Sequence, residues 1–544
     1  MNRQNSLFGF IVAGAIALLL IISVAFYWFL PPKPAKIITP ASRPHTAVLV
    51  SKLSPAMVTL LVNPEQLQAI GTKQQFTQIK NRLLAKSNIN YQTDIKSWLG
   101  QEVTLAVTST DIDHDPENGL QPGYLMVLAT EKPEKSREFL ELLFSQRALA
   151  DGNLVVEKYK GIKLFSDNQE TGLAGAIVAD FVLLANHPQI LREAINNLQA
   201  PDLNLASTKE YQKAIQELPQ NAIAFTFFNL PLVAKWQGLE LAALTYNSQI
   251  SSLVFHPQGF LTETTFLANS EVTPLGISTP QTVGALQYIP ENASLVITGT
   301  DLSNLANSNL AKLWEQGAAT IYGSSEEAIA RWAKPVVNLQ TSWGLNLSQD
   351  VFSWLKGEYA IGLLPSEEKK NFDWVLVVEK TPELNTGVNR LDEIASAHNL
   401  NVSSLTLNEN KVSAWTELTA TTQNQADVSV KTKVQGVHTT LGNYEVFTSN
   451  LETIDTILTS KIRPLIEQAD FQASIAAIPQ PNQGYVYIDW QKSRNLLEKQ
   501  QPIIRYVELL AKPLFDNLRS LTISSYGNEI ETLKGGAFWR FNKF

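Results

Sequence analysis

One stretch of this chain occurs twice. Residues 94–107 and 350–363 align without a gap, and five positions are identical: Asp94/Asp350, Ser97/Ser353, Trp98/Trp354, Leu99/Leu355 and Glu102/Glu358. In each copy an Asp can cap a short helical turn, and alternating apolar residues follow, which predicts a strand. The same local structure is therefore expected in both halves of the chain.

Further segments match in the same order along the two halves. The strand predicted at Ala56 is matched at Ala293, and the strand at Tyr124 is matched at Trp374. The strands at Tyr124 and Trp374 are each followed by a helix start that contains Pro. In the second copy Thr381 is predicted as the N-cap. Because strands follow one another directly and helices lie between some of them, the pattern predicts an α+β fold with largely antiparallel or mixed sheets. We therefore expect two tandem, duplicated α+β repeats at residues 45–269 and 287–544, joined by a linker at residues 270–286.

The composition limits the classes of function. At 544 residues the chain is too long for a single core, and its net charge of −8 argues against a nucleic-acid-binding surface. The chain has no Cys, which excludes disulfides, thiolate catalysis and Cys-ligated metal sites. No nucleic-acid partner and no cofactor are expected.

A segment near the N-terminus predicts a membrane anchor. Residues 7–30 carry no charged side chain and, as a helix, would be about 36 Å long, enough to cross a bilayer. A short tail at residues 1–6 precedes this segment, and a Pro-rich tether at residues 31–44 follows it. A cleaved signal peptide is the competing interpretation. We favour a signal-anchor helix with the N-terminus in the cytoplasm and the bulk of the chain exported, although the positive charges on the two sides are nearly balanced.

Three longer stretches resemble a known family. They are residues 61–67, 153–165 and 181–197, and all three lie in the first repeat. They are similar to a cyanobacterial family of membrane-anchored proteins that carry a domain of unknown function. The resemblance implies a bacterial envelope or thylakoid-membrane setting. Combined with the orientation favoured above, we expect an anchor in the plasma or thylakoid membrane and the bulk in the periplasm or lumen. It implies no activity, and no catalytic residue can be transferred from it.

One acidic loop is a candidate cation site. Asp111, Asp113, Asp115 and Glu117 alternate with other residues, so their carboxylates could converge on a hard cation such as calcium. The EF-hand pattern is not met, because Pro116 stands where that pattern needs Gly. A solvent-exposed acidic hairpin loop is the alternative interpretation.

No other set of residues predicts catalysis. The carboxylate pairs Asp94/Glu102 and Asp350/Glu358 fit structural roles better, since duplication would require two active sites. The six His residues show no metal-ligand spacing, and His187 fits a cap or an exposed position before Pro188. We therefore predict no catalytic residues, and cofactor-binding residues stay unknown.

The sequence favours a non-enzymatic binding, scaffold or assembly protein. Its expected partners are the membrane, through the N-terminal helix, and either a protein partner or an apolar ligand. A groove between the repeats is one place for such a ligand, because ligands favour domain interfaces. Two alternatives remain: a cell-surface hydrolase that uses carboxylates and a bound cation, and a lipid or pigment carrier.

Overall fold

The computed structural model describes most of the chain from residue 44 onward. The described residues are 44–63, 94–113, 121–151, 154–167, 172–236, 246–268, 283–303, 308–309, 312–313, 350–366, 372–424, 427–500, 512–527 and 531–542. The predicted membrane span at residues 7–30 lies outside these ranges. Within them, no helix combines the length and the apolar character that crossing a membrane needs.

The strands of the first half are numbered in chain order. They are β1 (Ala56–Leu60), β2 (Leu99–Ser109), β3 (Gly123–Thr130), β4 (Leu154–Tyr159), β5 (Ile162–Asp167), β6 (Ala174–Val178), β7 (Phe181–Ala185), β8 (Ala222–Asn229), β9 (Tyr246–His256) and β10 (Gly259–Ala268). The apolar alternation from Val103 to Val107 correctly predicted β2.

The strands of the second half continue the numbering. They are β11 (Leu295–Asp301), β12 (Lys356–Pro365), β13 (Phe372–Glu379), β14 (Asn401–Leu407), β15 (Asn410–Asn424), β16 (Asp427–Leu441), β17 (Tyr444–Thr448), β18 (Val486–Asp489), β19 (Leu518–Tyr526) and β20 (Thr532–Phe541).

Nine α-helices lie in the described part of the chain. They are α1 (Pro133–Asp151), α2 (Pro188–Gln199), α3 (Lys209–Gln216), α4 (Leu230–Trp236), α5 (Leu384–Ala397), α6 (Leu451–Leu458), α7 (Ala469–Ala476), α8 (Trp490–Gln500) and α9 (Lys512–Asn517).

Side-chain caps fix where several helices begin. The His187 ring accepts from the backbone N–H of Gln189 at 3.2 Å, and Pro188 takes the first position of α2, where its missing N–H costs nothing. The capping role predicted for His187 is thus confirmed. The cap predicted at Thr381 is wrong: Glu383 is the cap residue of α5, and the helix begins at Leu384, two residues after Pro382.

All twenty strands form one sheet, and every described pairing is antiparallel. The α+β class and the largely antiparallel sheet are therefore confirmed, while the mixed-sheet alternative is not realised. Following the pairings across the sheet gives one order, β4-β5-β6-β7-β3-β2-β1-β8-β9-β10-β20-β19-β18-β11-β12-β13-β17-β16-β15-β14. The two halves have the same strand order, running in opposite directions from the joint between β10 and β20. Read from its outer end, the second half is β14-β15-β16-β17-β13-β12-β11-β18-β19-β20, which is the order of the first half with ten added to each number.

The sheet has two faces with different cover. On the inner face, which carries Met57, Ala106 and Val127, buried apolar side chains pack beneath α2 and α3 in the first half. A larger inner-face cluster in the second half packs beneath α6 and α7. On the outer face, α1 covers Leu128 and Val182. Helices thus bury most of the inner face, whereas part of the outer face keeps exposed apolar side chains.

Candidate functional site

The predicted cation loop is only partly within the described residues. Asp115 and Glu117 lie outside them. Asp111 Oδ1 accepts a hydrogen bond from the backbone N–H of Gln121 at 3.2 Å, which ties the two ends of the loop together. Within the described ranges, no group of three or more His, Asp or Glu side chains is arranged to hold a metal ion. The four-residue site with Asp113 as a member stays a prediction.

The duplicated Trp has the same contact in both halves. The indole N–H of Trp98 donates to the backbone carbonyl of Asp94 at 2.5 Å, and that of Trp354 donates to the carbonyl of Asp350 at 2.7 Å. The repeated Asp therefore provides a backbone acceptor to the Trp. In the second half its carboxylate also forms an ion pair with Arg390 at 2.9 Å.

The duplicated Glu anchors the chain segment that enters each half. Glu102 is 4% exposed and accepts from the backbone N–H and the hydroxyl of Thr46, at 3.0 and 2.7 Å. Glu358 accepts from the backbone N–H of Gly284 at 2.8 Å and from the hydroxyl of Tyr444 at 2.9 Å. Each Glu thus satisfies a backbone donor at the start of a 3-10 turn, which spans Thr46–Val48 in the first half and Gly284–Tyr288 in the second.

A buried polar cluster that the sequence did not reveal lies on β16, β17 and α5. His438 Nδ1 lies 2.7 Å from Glu445 Oε1, and both residues are more than nine-tenths buried. His438 Nε2 lies 3.9 Å from Asp392 Oδ1, which accepts from the Trp415 indole at 2.7 Å. The imidazole packs against both Trp415 and Phe447, with ring centroids 5.2 and 5.4 Å away, and those two rings lie 6.3 Å from each other. Since this cluster is enclosed by packed aromatic rings, it is suited to stabilising the second half and not to meeting a substrate.

An apolar strip crosses the outer face of the first half. Val58, Leu105, Met126 and Leu184 are register partners on four adjacent strands. Leu105 is 45% exposed and Met126 is 36% exposed, although both lie on interior strands of the sheet. Measured across the four strands, the strip is about 14 Å wide, because neighbouring strands are about 4.8 Å apart. Large apolar side chains exposed side by side in this way are typical of a binding surface.

The second half carries the same strip at the corresponding strands. Ile297, Ile361, Leu376 and Phe447 are register partners on β11, β12, β13 and β17. Here Phe447 is 2% exposed, and the other three are partly buried against the cluster that includes Trp415. The strip is therefore more covered in the second half than in the first.

The two halves join through β10 and β20. These strands pair from Gly259 opposite Arg540 to Leu267 opposite Thr532. On the outer face, the Trp539 indole donates to the Thr262 hydroxyl at 3.1 Å. We call this pair of strands the joint.

Ion pairs from α3 and from Glu217, the residue that follows it, reach across the joint on its inner face. Lys213 contacts Glu531 at 2.5 Å, and Glu217 contacts Lys534 at 3.4 Å. A helix of the first half is thereby tied to the last strand of the second.

A hydrogen bond also crosses the inner face of the joint. The hydroxyl of Tyr526 on β19 donates to Glu263 Oε1 on β10 at 2.8 Å, reaching over Gly536 on β20. Tyr526 is 6% exposed, whereas Glu263 keeps part of its surface in solvent. Burial, with the adjacent Glu263 charge, raises the pKa of the Tyr526 hydroxyl, so the phenol stays protonated and can donate.

The sequence of this chain matches a known protein family. A family model described as "Protein of unknown function (DUF3352)" matches residues 11–541. The chain belongs to the DUF3352 family. The matched region contains both halves and the joint. Its description assigns no activity to any DUF3352 residue.

Solved structures give a more distant likeness. Crystal form I of TP0453 has a TM-score of 0.26 and 12% identity, covering 44% of this chain and 82% of that chain. Crystal form III of TP0453 has a TM-score of 0.25 and 13% identity, covering 43% of this chain and 83% of that chain. No curated protein matches the sequence.

Proposed function

We propose that this DUF3352 protein is a non-enzymatic binding or scaffold protein anchored by residues 7–30 in a cyanobacterial plasma or thylakoid membrane. The uncharged 24-residue segment and the Pro-rich tether behind it support the anchor. In this proposal the N-terminus is cytoplasmic and the sheet lies in the periplasm or lumen. The two tandem repeats form the exported body.

The apolar strip of the first half is the observation that carries the binding role. Leu105 and Met126 are directly opposite each other on β2 and β3 and are both exposed. Burying two such side chains against a partner would contribute a few kcal/mol, at about 25 cal/mol per Å² of apolar surface. Polar side chains at these positions would serve solubility better, so their apolar character favours a role in recognition.

The strip fits an apolar segment of a protein partner. An α-helix with its side chains is about 10–12 Å across, which matches the roughly 14 Å width of the strip. An amphipathic helix could therefore lie on the strip with its apolar side against Leu105 and Met126. The corresponding residues Ile297 and Ile361 are a second, less exposed surface of the same kind.

Cross-linking of the intact anchored protein in its native membrane, followed by pull-down, tests this proposal. The double substitution Leu105→Glu with Met126→Glu should abolish recovery of the cross-linked partner, because two carboxylates would have to be desolvated. Leu149→Glu is the matched control, since Leu149 is 88% exposed on α1 and is not a member of the strip. The control should recover as much partner as the unaltered protein.

Three results would count against this function. Equal recovery of the partner with both variants would show that the strip is not part of the interface. Co-purifying hydrophobic small molecules without any protein partner would favour the carrier alternative. Turnover of a substrate panel by the purified protein would favour the hydrolase alternative.

A further inference from the structure

The chain enters the first half through a buried segment on the inner side of the sheet. We call residues 45–53 the entry strap. Leu49 and Val50 of the strap are fully buried. Leu49 packs in the cluster beneath α2, and Val50 packs in the cluster beneath α3. Since Glu102 also holds Thr46, the strap is fixed on the sheet from its beginning.

Hydrogen bonds tie the strap to the segment between α2 and α3. The side-chain amide of Asn197 donates to the carbonyl of Leu49 at 3.2 Å, and that of Asn204 donates to the carbonyl of Asn197 at 3.1 Å. The backbone N–H of Lys52 donates to the carbonyl of Leu203 at 2.9 Å. These bonds bring the end of the strap, the end of α2 and the turn that follows α2 to one place on the surface.

Three leucines are exposed at this place. Leu53 is 63% exposed, Leu203 is 43% exposed and Leu198 is 36% exposed. Each is part of the hydrogen-bond network just described or next in sequence to one of its residues. Because consecutive Cα atoms are about 3.8 Å apart, the three leucines occupy one region of the surface, which we call the leucine patch. Large apolar side chains exposed together in this way mark an interaction surface.

The predicted tether keeps this patch near the membrane. Residues 31–44 separate the predicted span from the strap, and five of these 14 residues are Pro. A Pro-rich linker extends by about 3.1 Å per residue, so these residues reach about 43 Å. The twenty strands of the sheet, about 4.8 Å apart, extend over about 90 Å. The tether is therefore shorter than the sheet is wide, and the strap is the part of the body that it holds closest to the bilayer.

We propose that the leucine patch docks on the bilayer that holds the anchor, with its leucines in the interfacial region of the lipid. The docking rests on the anchor of the proposed function. Backbone groups that leave water need hydrogen-bond partners, and the N–H of Lys52 and the carbonyls of Leu203 and Asn197 already have them. The exposed side chains of Lys52 and Asp202 flank the patch with opposite charges. Burial of apolar side chains, and not a net positive charge, therefore supplies the attraction to lipid.

Docking in this orientation leaves the apolar strip accessible. The patch belongs to the layer of α2 and α3 on the inner face, whereas Leu105 and Met126 lie on the outer face. A bilayer against the patch is therefore on the opposite side of the sheet from the strip. The strip is then directed away from the lipid, toward a protein partner.

A lipid-sensitive label next to the patch tests the docking. The chain has no Cys, so Lys52→Cys gives a single site for an NBD fluorophore while all three leucines stay in place. The full-length protein is reconstituted in phosphatidylcholine vesicles, with and without lipids that carry a nitroxide on the acyl chain. The label at position 52 should emit at a shorter wavelength than in water, and the nitroxide lipids should quench it. Lys135→Cys, at an exposed Lys of α1, is the matched label position and should show neither effect.

Two pairs of substitutions in the protein labelled at position 52 assign the quenching to the patch. Leu53→Asp with Leu203→Asp should abolish the quenching, because carboxylates resist transfer out of water. Leu149→Asp with Leu418→Asp is the matched control, since these two leucines are 88% and 56% exposed and do not belong to the patch. The control should be quenched as strongly as the parent. All four positions are exposed, so both variants should keep the melting temperature of the parent.

The docking and the anchor fail in different ways. A label at position 52 that is not quenched, in protein that floats with the vesicles and resists alkaline extraction, would contradict the docking alone. Equal quenching in the Leu53→Asp/Leu203→Asp protein, or equal loss in the control pair, would also contradict it. Protein that neither floats nor resists extraction would contradict the anchor itself, and the docking with it.

Discussion

Tyr526 donates its hydroxyl to Glu263 across an intervening strand, and 263 positions of sequence separate the two residues. The phenol can reach its acceptor because Gly536 lies between them. A Cβ atom at Gly536 would stand 2.6 Å from the Tyr526 hydroxyl oxygen, closer than two such atoms can approach. The contact thus depends on three strands, one from the first half and two from the second.

Gly536→Ala should destabilise the joint. The added methyl group must displace the Tyr526 hydroxyl, and overpacking of this kind costs about 1–3 kcal/mol of unfolding free energy. Urea unfolding followed by Trp fluorescence measures this cost. In a Tyr526→Phe background the hydroxyl is gone, so the same substitution should cost roughly 1 kcal/mol less. Strictly additive effects of the two substitutions would show that the methyl group and the hydroxyl do not meet.

Glu445→Ala should be far more damaging than loss of an exposed ion pair. It leaves His438 buried beside Asp392 without its closest partner, and breaking a buried pair costs about 3–5 kcal/mol. Arg137→Ala is the comparison, because Arg137 and Glu134 are 55% and 83% exposed and such pairs contribute roughly 0–1 kcal/mol. Thermal unfolding should separate the two variants clearly. Similar melting temperatures would mean that the His438 cluster adds little to stability.

The stability of the fold should fall steeply above pH 10. Burial raises the pKa of Tyr211, Tyr359, Tyr487 and Tyr526 above the usual value of 10.0. Above pH 10 the unfolded chain releases these protons and the folded chain keeps them, so unfolding becomes more favourable as pH rises. Above pH 10 each such Tyr lowers the free energy of unfolding by about 1.4 kcal/mol per pH unit, and the four together lower it by roughly 5 kcal/mol per pH unit. Absorbance of ionised Tyr at alkaline pH should therefore appear for these residues only as the protein unfolds. Reversible ionisation of every Tyr in the folded state would contradict this.

Local pattern was sufficient to predict much of the fold. The period-two alternation from Val103 to Val107 predicts a strand, and Pro188 after His187 predicts a helix start; both are present. These features depend on residues that are close in sequence, so short windows contain the information. The repeated Trp98 and Trp354 likewise mark the same turn in both halves.

The partners of distant strands could not be predicted in this way. The residues of β10 and β20 show that each is a strand, but nothing in either pattern selects the other as its neighbour. The sequence therefore suggested two separate repeats, and the structure joins them in one sheet through Gly259–Ala268 and Thr532–Phe541.

The buried His438 cluster was missed for a related reason. His438 and Glu445 are seven residues apart, and their contact requires the hairpin between β16 and β17 to turn at Gly442. A glycine flanked by alternating apolar residues is a hairpin signal that could have placed them together. Asp392 and Trp415 join the cluster only through tertiary packing, which no short window contains.

Disulfide formation across the joint is the most direct test of a sheet that continues from one half into the other. The chain has no native Cys, so a pair introduced as Thr262→Cys with Ala537→Cys reacts without background. These residues are register partners, so their Cβ atoms are about 4.5–5.5 Å apart, within roughly 1 Å of the 3.5–4.5 Å that a disulfide needs. Thr262→Cys with Thr532→Cys is the control, because Thr532 is five residues away along the same strand. The structure predicts rapid oxidation of the first pair, seen as a loss of two hydrogen masses, and none of the second. Equal oxidation of both pairs, or of neither, would contradict the joint.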